Sequence, residues 1–362
     1  MYVIFHKTIF KKIINMFKIN IHYFRGISII FIVFSHCYFC GVSIFGQNQH
    51  FFNKILISLI SGCSSFFVFI SGFLFNTIYK SNIKYFDFLL NKIRFVYLPF
   101  IIFISFDLLY LILMIIINSN NKSQFYSDTL FNINFINVYF GGKSFITSGI
   151  LWYVPFIMFI YLLSPVFLFY SRLRADFRFY ILFLSLMLSL FLFRGKNFDF
   201  LSTIHNVIYF LPFYLLGILS SQFEFYLYKK INKINLLFLI LLSFGVAFIS
   251  NYPPFLFLTS FDLILFQKVF FCIVFLVSLK SLNPKKLEII KILATNSFGI
   301  FFIHPIIIYL VGYYTTSLNI IYKNESFFIY LIIATIVLFI SLFVVLIIKR
   351  ILGKRSKYFI GV

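Results

Sequence analysis

Residues 20–39 read NIHYFRGISIIFIVFSHCYF, a strongly apolar stretch with an arginine, Arg25, near its start and a histidine, His36, near its end. The apolar run that starts at Ile27 continues to about residue 45, and it has the length and composition of a helix that crosses a hydrocarbon core of about 30 Å. Charged and titratable groups are costly inside a membrane, and they usually face the interior of a helix bundle and mark a substrate path. The stretch therefore predicts a transmembrane helix with a functional polar face.

The composition extends this prediction to the whole chain. Of its 362 residues 62% are hydrophobic and 11% are charged, against about 45–50% and about 25% in soluble domains. A helical crossing needs about 20 apolar residues, whereas a membrane β-barrel would show short alternating segments. Apolar runs lie at about 27–45, 55–79, 95–117, 148–170, 179–193, 201–221, 234–250, 261–279, 292–312 and 327–348. The sequence predicts an all-α, polytopic integral membrane bundle of about ten transmembrane helices.

The 31 lysines and arginines indicate how the bundle is oriented. With a cytoplasmic N-terminus, 24 of them fall in inside segments and 6 in outside segments, and Lys268 lies within a run. Cytoplasmic loops are enriched in Lys and Arg, so both termini are predicted to be cytoplasmic. We expect one membrane domain over 1–362, with basic cytoplasmic segments at 1–26 and 349–362. The net charge of +22 is then explained by membrane orientation rather than by nucleic-acid binding.

Arg25 and His36 are eleven residues apart, which on an α-helix is three turns plus about 20°. They therefore project from one face, roughly 16 Å apart along the axis, and this predicts the two ends of one polar cavity. The alternatives are a structural hydrogen bond for His36 and an interfacial anchor for Arg25.

Lys92 and Arg94 precede the third apolar run in NKIRFVYLPF, residues 91–100. Together with Arg25 they would form a cationic rim suited to a polyanionic ligand such as a nucleotide-bearing cofactor. The enrichment of basic residues in cytoplasmic loops explains the same two residues without a ligand. Both interpretations stay open at this point.

Other polar residues within or beside the apolar runs are secondary candidates. His304 lies in the middle of a run and is followed by Pro305, which removes a backbone hydrogen bond. Asp262 and Lys268 would suit an internal ion pair, and Asp107 would suit orienting a histidine. The four cysteines fall within apolar segments; Cys37 and Cys40 form a C-x-x-C, but no second pair lies nearby to complete a zinc site, so no metal or redox centre is expected.

Several motifs, in order along the chain, resemble those of the membrane acyltransferase-3 family. FRGISIIFIVFSH is similar to its first helix, in which Arg and His are separated by ten residues, and SSFFVFISGFLF resembles its second, at Ser71. NKIRFVYLPF resembles its basic-x-Arg motif, and LWYVPFIMFIYLLSPV its Leu-Trp helix, here with Trp152. LPFYLLGIL and SFGIFFIHP are similar to later segments. The chain departs from the family in having Lys92 as the first basic residue and Ile150 where a His often precedes Leu-Trp.

This resemblance implies an O-acyltransferase that moves an acyl group, usually acetyl, from acyl-CoA to a sugar hydroxyl. The acceptor would be a surface polysaccharide, a lipopolysaccharide or a lipid-linked glycan, at the bacterial cytoplasmic (inner) membrane. Acyl-CoA (acetyl-CoA) would be a co-substrate, with no permanently bound cofactor. The resemblance implies catalysis by His36 and binding of acyl-CoA phosphates by Arg25, Lys92 and Arg94. Further expected site residues are Ser71, Trp152 and His304.

Two other functional classes stay open as alternatives. A polysaccharide polymerase or flippase would more often carry large loops with Arg or Asp clusters, whereas the long polar loop at 118–149 has few charges. A membrane transporter would be expected to show symmetric halves with helices broken by Gly and Pro. No internal repeat is visible in the sequence.

Overall fold

The computed structural model describes residues 2–40, 51–79, 84–118, 135–144, 149–195, 197–252, 261–280, 287–317 and 327–362. Across these ranges about 90% of the residues are helical and none forms a strand. The prediction of an all-α fold is therefore confirmed. Most of the long polar loop, including residues 119–134, lies outside the described residues.

The described α-helices are numbered in chain order. The first eight are α1 (Tyr2–Cys40), α2 (Phe51–Ile60), α3 (Ser64–Tyr79), α4 (Tyr85–Lys92), α5 (Leu98–Asn118), α6 (Phe135–Gly141), α7 (Tyr153–Leu162) and α8 (Ser164–Arg172). The others are α9 (Ala175–Leu192), α10 (Phe200–Gln222), α11 (Glu224–Lys230), α12 (Lys233–Asn251), α13 (Leu263–Ser278), α14 (Glu288–Ser317), α15 (Phe327–Leu352) and α16 (Ser356–Ile360). Short turns complete the description: one π-helical at Ile93–Tyr97, and two 3-10 at Ile150–Trp152 and Gly353–Arg355.

Each of the ten predicted apolar runs is occupied by a helix or a helix pair in the described ranges. Eight of these elements are long and apolar enough to cross a membrane. The helix pair Ile150–Leu162 and Ser164–Arg172, bent by 55°, forms a ninth element if it is taken as one span. The apolar helix α13 is shorter, at 16 residues. The chain is thus a multi-pass membrane protein, while the sidedness of its termini stays a prediction.

Helix α1 is much longer than the apolar run that predicts it. It begins at Tyr2, so the basic segment over 1–26 continues the first transmembrane helix without a break. The sequence explains this continuity, because neither proline nor glycine occurs before Gly26 and these are the residues that interrupt helices. Arg25 is consequently carried on a rigid helix rather than on a loop.

Two glycines allow α3 and α10 to approach each other closely. A Cβ atom at Gly72 would collide with the Tyr214 carbonyl oxygen, and one at Gly217 would collide with the Phe69 carbonyl oxygen. Small residues at such contacts let membrane helices pack backbone against backbone. This reciprocal pair fixes α3, which carries Ser71, against α10.

The surface and the interior of the bundle have the polarity expected for a protein surrounded by lipid. Large apolar side chains such as Phe177, Phe225 and Phe343 are exposed, as lipid-facing positions should be. Buried polar side chains include Lys268 and His304, and such groups inside a membrane usually serve a structural or functional purpose.

Candidate active site

The structure brings together two histidines that the sequence places far apart. The Nδ1 atom of His36 on α1 lies 2.9 Å from the Nε2 atom of His304 on α14. The ring planes are parallel within 4° and their centroids are 5.2 Å apart. Because the facing nitrogens are so much closer than the centroids, the rings meet edge to edge in a hydrogen bond. His304 is completely buried, whereas His36 is partly exposed, so His36 is the accessible member of this histidine pair.

The hydrogen bonds of His304 determine which nitrogen of each neutral ring carries the proton. Its Nδ1 atom lies 2.9 Å from the Ile300 carbonyl oxygen, and a carbonyl only accepts, so Nδ1 donates. The Nε2 atom of His304 is then an acceptor, and Nδ1 of His36 donates to it. The free lone pair of His36 is consequently on Nε2, the nitrogen that is able to take a proton from a substrate.

Pro305 contributes to the orientation of the His304 ring. A proline has no N–H to donate to the carbonyl four residues earlier, here that of Phe301. The carbonyls of Ile300 and Phe301 both act on the His304 ring as backbone hydrogen-bond partners. Pro305 therefore leaves the Phe301 carbonyl without its usual helical hydrogen bond, so this carbonyl is available to the His304 ring.

Arg194 lies close enough to His36 to interact with it electrostatically. Its guanidinium carbon is 4.4 Å from the centre of the Trp152 ring, which is a favourable cation–π arrangement. Burial lowers the pKa of Arg194, and the neighbouring Tyr209 and Asp262 side chains act in the opposite direction. Its Nε atom is buried and has no hydrogen-bond partner among the described residues. Arg194 thus adds a positive charge to the site.

The loop that carries Arg194 is held in place by α10. The His205 Nε2 atom lies 2.7 Å from the Phe193 carbonyl oxygen, and the Gly195 N–H donates to Asn206 Oδ1 at 3.0 Å. Phe193 itself has φ of 51°, a conformation that costs a residue other than glycine about 1–3 kcal/mol and is concentrated at functional sites. The residue directly before Arg194 thus adopts an energetically unfavourable backbone conformation.

Asp262 and Lys268 interact electrostatically, but their direct hydrogen bonds go to other groups, which corrects the expectation of a contact ion pair. The Tyr209 hydroxyl donates to Asp262 Oδ2 at 2.7 Å. Lys268 instead donates to the carbonyls of Ser58 and Leu59 at 3.0 and 2.8 Å. These carbonyls lie in the last turn of α2, where carbonyl groups have no N–H partner within the helix. Lys268 therefore caps α2 at the interruption between α2 and α3.

A second polar group surrounds Arg25. The guanidinium interacts electrostatically with the hydroxyls of Tyr153 and Tyr161. Ser71 Oγ lies 3.5 Å from the Tyr161 hydroxyl and is also a hydrogen-bond partner of Tyr153. Lys92 Nζ lies 4.6 Å from the centre of the Tyr161 ring. The structure therefore places Arg25, Lys92 and Ser71 around Tyr161, and we refer to these residues with Tyr153 as the Arg25 cluster.

Arg94 lies apart from this cluster, with an exposed side chain. Residues two apart on a helix point about 200° from each other, so Lys92 and Arg94 cannot both face inward. The local π-helical turn at Ile93–Tyr97 precedes Pro99, which cannot donate to the turn before it. Of the two basic residues, only Lys92 points into the bundle.

Tyr153 links the Arg25 cluster to the histidine pair. Its ring lies 5.9 Å from that of Phe301, which in turn lies 5.9 Å from the His304 ring. It also follows Trp152, whose ring stacks on Phe210 at 5.7 Å. One continuous wall therefore runs from Arg25 to the histidine pair and Arg194.

A family model for the acyltransferase domain matches residues 18–350. The chain belongs to the acyltransferase-3 family. It is accordingly a membrane enzyme that transfers acyl groups. No curated protein and no solved structure matches the chain.

Sequence reasoning missed several residues of the site of this acyltransferase. Arg194 was considered only as one of the six basic residues in the predicted outside segments. Basic residues are uncommon on that side of a membrane, so its position was already a signal. Tyr153 follows Trp152 directly in the family motif, which was the available signal. Asp262 was considered only as a partner of Lys268. Among the described residues, no group of three or more His, Cys, Asp or Glu side chains is placed to hold a metal ion.

Proposed function

We propose that this acyltransferase moves an acyl group, acetyl in the simplest case, from acyl-CoA to a sugar hydroxyl. The acceptor would be a surface polysaccharide, a lipopolysaccharide or a lipid-linked glycan at the bacterial cytoplasmic membrane. The observation that carries the proposal is the hydrogen bond from His36 to His304, because it leaves a basic nitrogen of His36 free in the bundle interior. Such a nitrogen suits deprotonation of a hydroxyl group.

The Arg25 cluster is proposed to bind the donor. Arg25 and Lys92 flank Tyr161, and paired cations of this kind suit the phosphates of coenzyme A. The pantetheine arm would then follow the wall through Tyr153 toward His36, roughly 16 Å along α1 from Arg25. Arg94, which is exposed on the opposite face of the helix from Lys92, would meet a phosphate outside the bundle.

In the chemical step, His36 Nε2 takes the proton of the sugar hydroxyl as its oxygen attacks the thioester carbonyl. The new C–O bond forms, the C–S bond breaks, and the proton passes from His36 to the departing thiolate. General-base assistance of this kind contributes typically about 10²- to 10⁴-fold. The hydrogen bond to His304 supports the imidazolium while it carries the proton. An acyl-histidine formed in two steps is the other route that the same residues support.

Arg194 and Trp152 are proposed to serve the reacting centre. The positive charge of Arg194 near His36 would stabilise the negative charge that develops on the carbonyl oxygen, since preorganised donors act most strongly in dry sites. Trp152 would hold Arg194 in place through the cation–π contact.

The test is acetyl-CoA-dependent labelling of glycan in membranes that contain His36→Gln or the wild-type chain at equal levels. We expect the His36 variant to lose labelling. His22→Gln is the matched control, because His22 lies on the same helix and contacts Thr295 rather than the histidine pair, and it should retain labelling. Full labelling by the His36 variant would refute the catalytic assignment.

A further inference from the structure

Asp262 stands where an aspartate usually caps a helix, yet its side chain is used elsewhere. It is the N-cap residue of α13, and within the described residues 261–280 its side chain makes no capping hydrogen bond. Its Oδ2 atom accepts instead from the Tyr209 hydroxyl on α10, at 2.7 Å. A capping side chain contributes about 1 kcal/mol to helix stability. The carboxylate of Asp262 is thus turned away from its own helix and toward α10.

Both Arg194 and Lys268 interact electrostatically with the Asp262 carboxylate. Lys268 already donates to the carbonyl oxygens of Ser58 and Leu59, so its ammonium group has acceptors of its own. Arg194 lies over the Trp152 ring, whose face attracts a cation but carries no net charge. Charges inside a membrane bundle are usually balanced by one another. Asp262 supplies the negative charge that balances Arg194.

The backbone of Asp262 also holds the segment that leads to Arg194. The Asp262 N–H donates to the Leu190 carbonyl oxygen at 2.9 Å, and Leu190 lies in the last turn of α9, four residues before Arg194. Between them Phe193 has φ of 51°, a conformation that persists where surrounding contacts enforce it. Asp262 is therefore linked to Arg194 through the backbone as well as through its charge.

Tyr209 completes the link through a row of aromatic rings. Its ring lies 4.8 Å from that of Phe210, and Phe210 stacks on Trp152 at 5.7 Å. The guanidinium of Arg194 lies 4.4 Å from the centre of the Trp152 ring. Tyr209 is buried and also interacts electrostatically with Arg194. Arg194 is thus held between Trp152 on one side and the hydrogen-bonded pair of Tyr209 and Asp262 on the other.

Resting on the proposed function, in which Arg194 stabilises the developing negative charge, we infer that Asp262 is a positioning residue for Arg194. Its charge and its hydrogen bond with Tyr209 keep the guanidinium over Trp152 and beside His36. Its contribution to acyl transfer passes through Arg194. A role as counter-charge to Lys268 would instead make Asp262 a part of the fold, and the experiments below distinguish the two.

Trp152 is the single tryptophan of the chain, so its fluorescence reports on the cation over its ring. The full-length protein is compared in phosphatidylcholine nanodiscs as wild type, Arg194→Gln, Asp262→Asn and Asp199→Asn. We expect Arg194→Gln to shift the emission, because the ring loses the adjacent charge. Asp262→Asn keeps the shape of the side chain and removes its charge. It should move the emission most of the way to that of Arg194→Gln.

Asp199→Asn is the matched control. Asp199 is the N-cap residue of α10, and its side chain accepts from the Ser202 N–H at 2.6 Å. Asparagine caps a helix as well as aspartate does, so this variant should keep the wild-type emission. Wild-type emission in Asp262→Asn would overturn the inference. Wild-type emission in Arg194→Gln would also overturn it, because the charge would then not lie over Trp152.

Tyr209→Phe is a second variant, which keeps the charge of Asp262 and the aromatic contacts. It removes the hydroxyl that donates to Asp262 Oδ2, so it should shift the emission in the same direction as Asp262→Asn but by less. This variant tests the link even where loss of the carboxylate prevents folding. An unchanged emission in Tyr209→Phe would refute the part assigned to the hydrogen bond.

Steady-state kinetics test the consequence for catalysis. Asp262→Asn should lower kcat by about tenfold or more, a part of the loss expected on removing one oxyanion donor, with little change in KM for acyl-CoA. In the Arg194→Gln background the same substitution should cost nothing further, because residues that act as a unit are not additive. Equal losses of kcat in both backgrounds would show that Asp262 acts through another partner such as Lys268, and would overturn the inference.

The two readouts separate this inference from the proposed function. The emission of Trp152 requires no turnover, so it tests the position of Arg194 whatever the protein acylates. An Asp262-dependent emission without His36-dependent labelling of glycan would support the positioning of Arg194 and refute the proposed acyl transfer to sugar. Labelling that depends on His36, with an emission that does not depend on Asp262, would refute the positioning alone.

Discussion

His36 donates through Nδ1 to Nε2 of His304, across 2.9 Å and between residues 268 positions apart in the chain. The direction of this hydrogen bond follows from the Ile300 carbonyl, which commits the other nitrogen of His304 to donating. His304 is thus a positioning residue: it sets the tautomer of His36 and supports its positive charge. The two histidines are expected to act as one unit.

Replacing His304 should reveal this dependence. We expect His304→Leu to lower kcat substantially but by less than His36→Ala, for which a loss of about 10²- to 10⁴-fold is expected. His304→Gln should recover part of the activity, because its amide oxygen can occupy the position of Nε2. The double variant should be no slower than His36→Ala, since residues that act as a unit are not additive. Multiplicative losses in kcat would show that the histidines act independently.

Arg194 is expected to affect kcat more than the affinity for the donor. Arg194→Gln should reduce kcat by about 10²- to 10³-fold, the loss typical of removing one oxyanion donor, with little change in KM for acyl-CoA. Lys143→Gln removes an exposed positive charge and serves as the control. A rise in KM for acyl-CoA with unchanged kcat would instead assign Arg194 to donor binding.

The sequence was sufficient for the fold because hydropathy is a local property. Run lengths follow from the thickness of the hydrocarbon core, and helices such as α12 and α15 begin within a residue of their predicted runs. The 55° bend before Ser164 was not predicted. It depends on Pro165 at the start of α8, and a single proline can end a helix or merely kink it.

The site was only partly predictable, because its residues converge through tertiary packing. The spacing of Arg25 and His36 correctly placed them on one helix, but the partner of His36 comes from α14. Arg194 approaches His36 only through the strained loop at Phe193. Arg94 was grouped with Lys92 by charge, although helical geometry separates their side chains.

The Arg25 cluster predicts a graded response in donor affinity. Arg25→Gln and Lys92→Gln should each raise KM for acyl-CoA by about tenfold or more, as expected for loss of a charge-assisted contact. Arg94→Gln should have a smaller effect because its side chain is exposed and water screens exposed charges. Steady-state kinetics with acetyl-CoA as the varied substrate measure all three. Equal effects at Lys92 and Arg94 would contradict the inward orientation of Lys92.

The close contact of α3 and α10 predicts a stability effect independent of catalysis. Gly72→Ala and Gly217→Ala should each lower the free energy of unfolding by about 1–3 kcal/mol, because the added Cβ meets backbone of the other helix. Gly245→Ala on α12 meets nothing within 4 Å. It should be neutral or stabilising by up to about 1 kcal/mol, owing to the higher helix propensity of alanine. The free energy of unfolding of each variant is measured in mixed detergent micelles. Equal effects at all three glycines would refute the close contact of α3 and α10.

Glu224 predicts a pH dependence of stability from a group between the membrane spans. Burial raises its pKa to about 7, against the opposing effects of the Tyr228 hydroxyl and of Lys280. The folded state therefore binds a proton more tightly than the unfolded state, whose carboxyl has its ordinary pKa of 4.5. Stability should fall as pH rises through this window and stay lower above it.

Glu224→Gln removes the titrating group and keeps an oxygen to accept from Tyr228, which donates to Glu224 Oε1 at 2.7 Å in the wild type. The variant should gain stability relative to the wild type between pH 4.5 and about pH 7, the interval in which the unfolded wild-type carboxyl has lost its proton while the folded one still holds it. Thermal unfolding at a series of pH values measures the difference in Tm. Glu288→Gln is the control, because Glu288 is exposed beside Lys291 and should show a nearly constant difference. A constant difference for Glu224→Gln as well would mean that the buried carboxyl titrates normally.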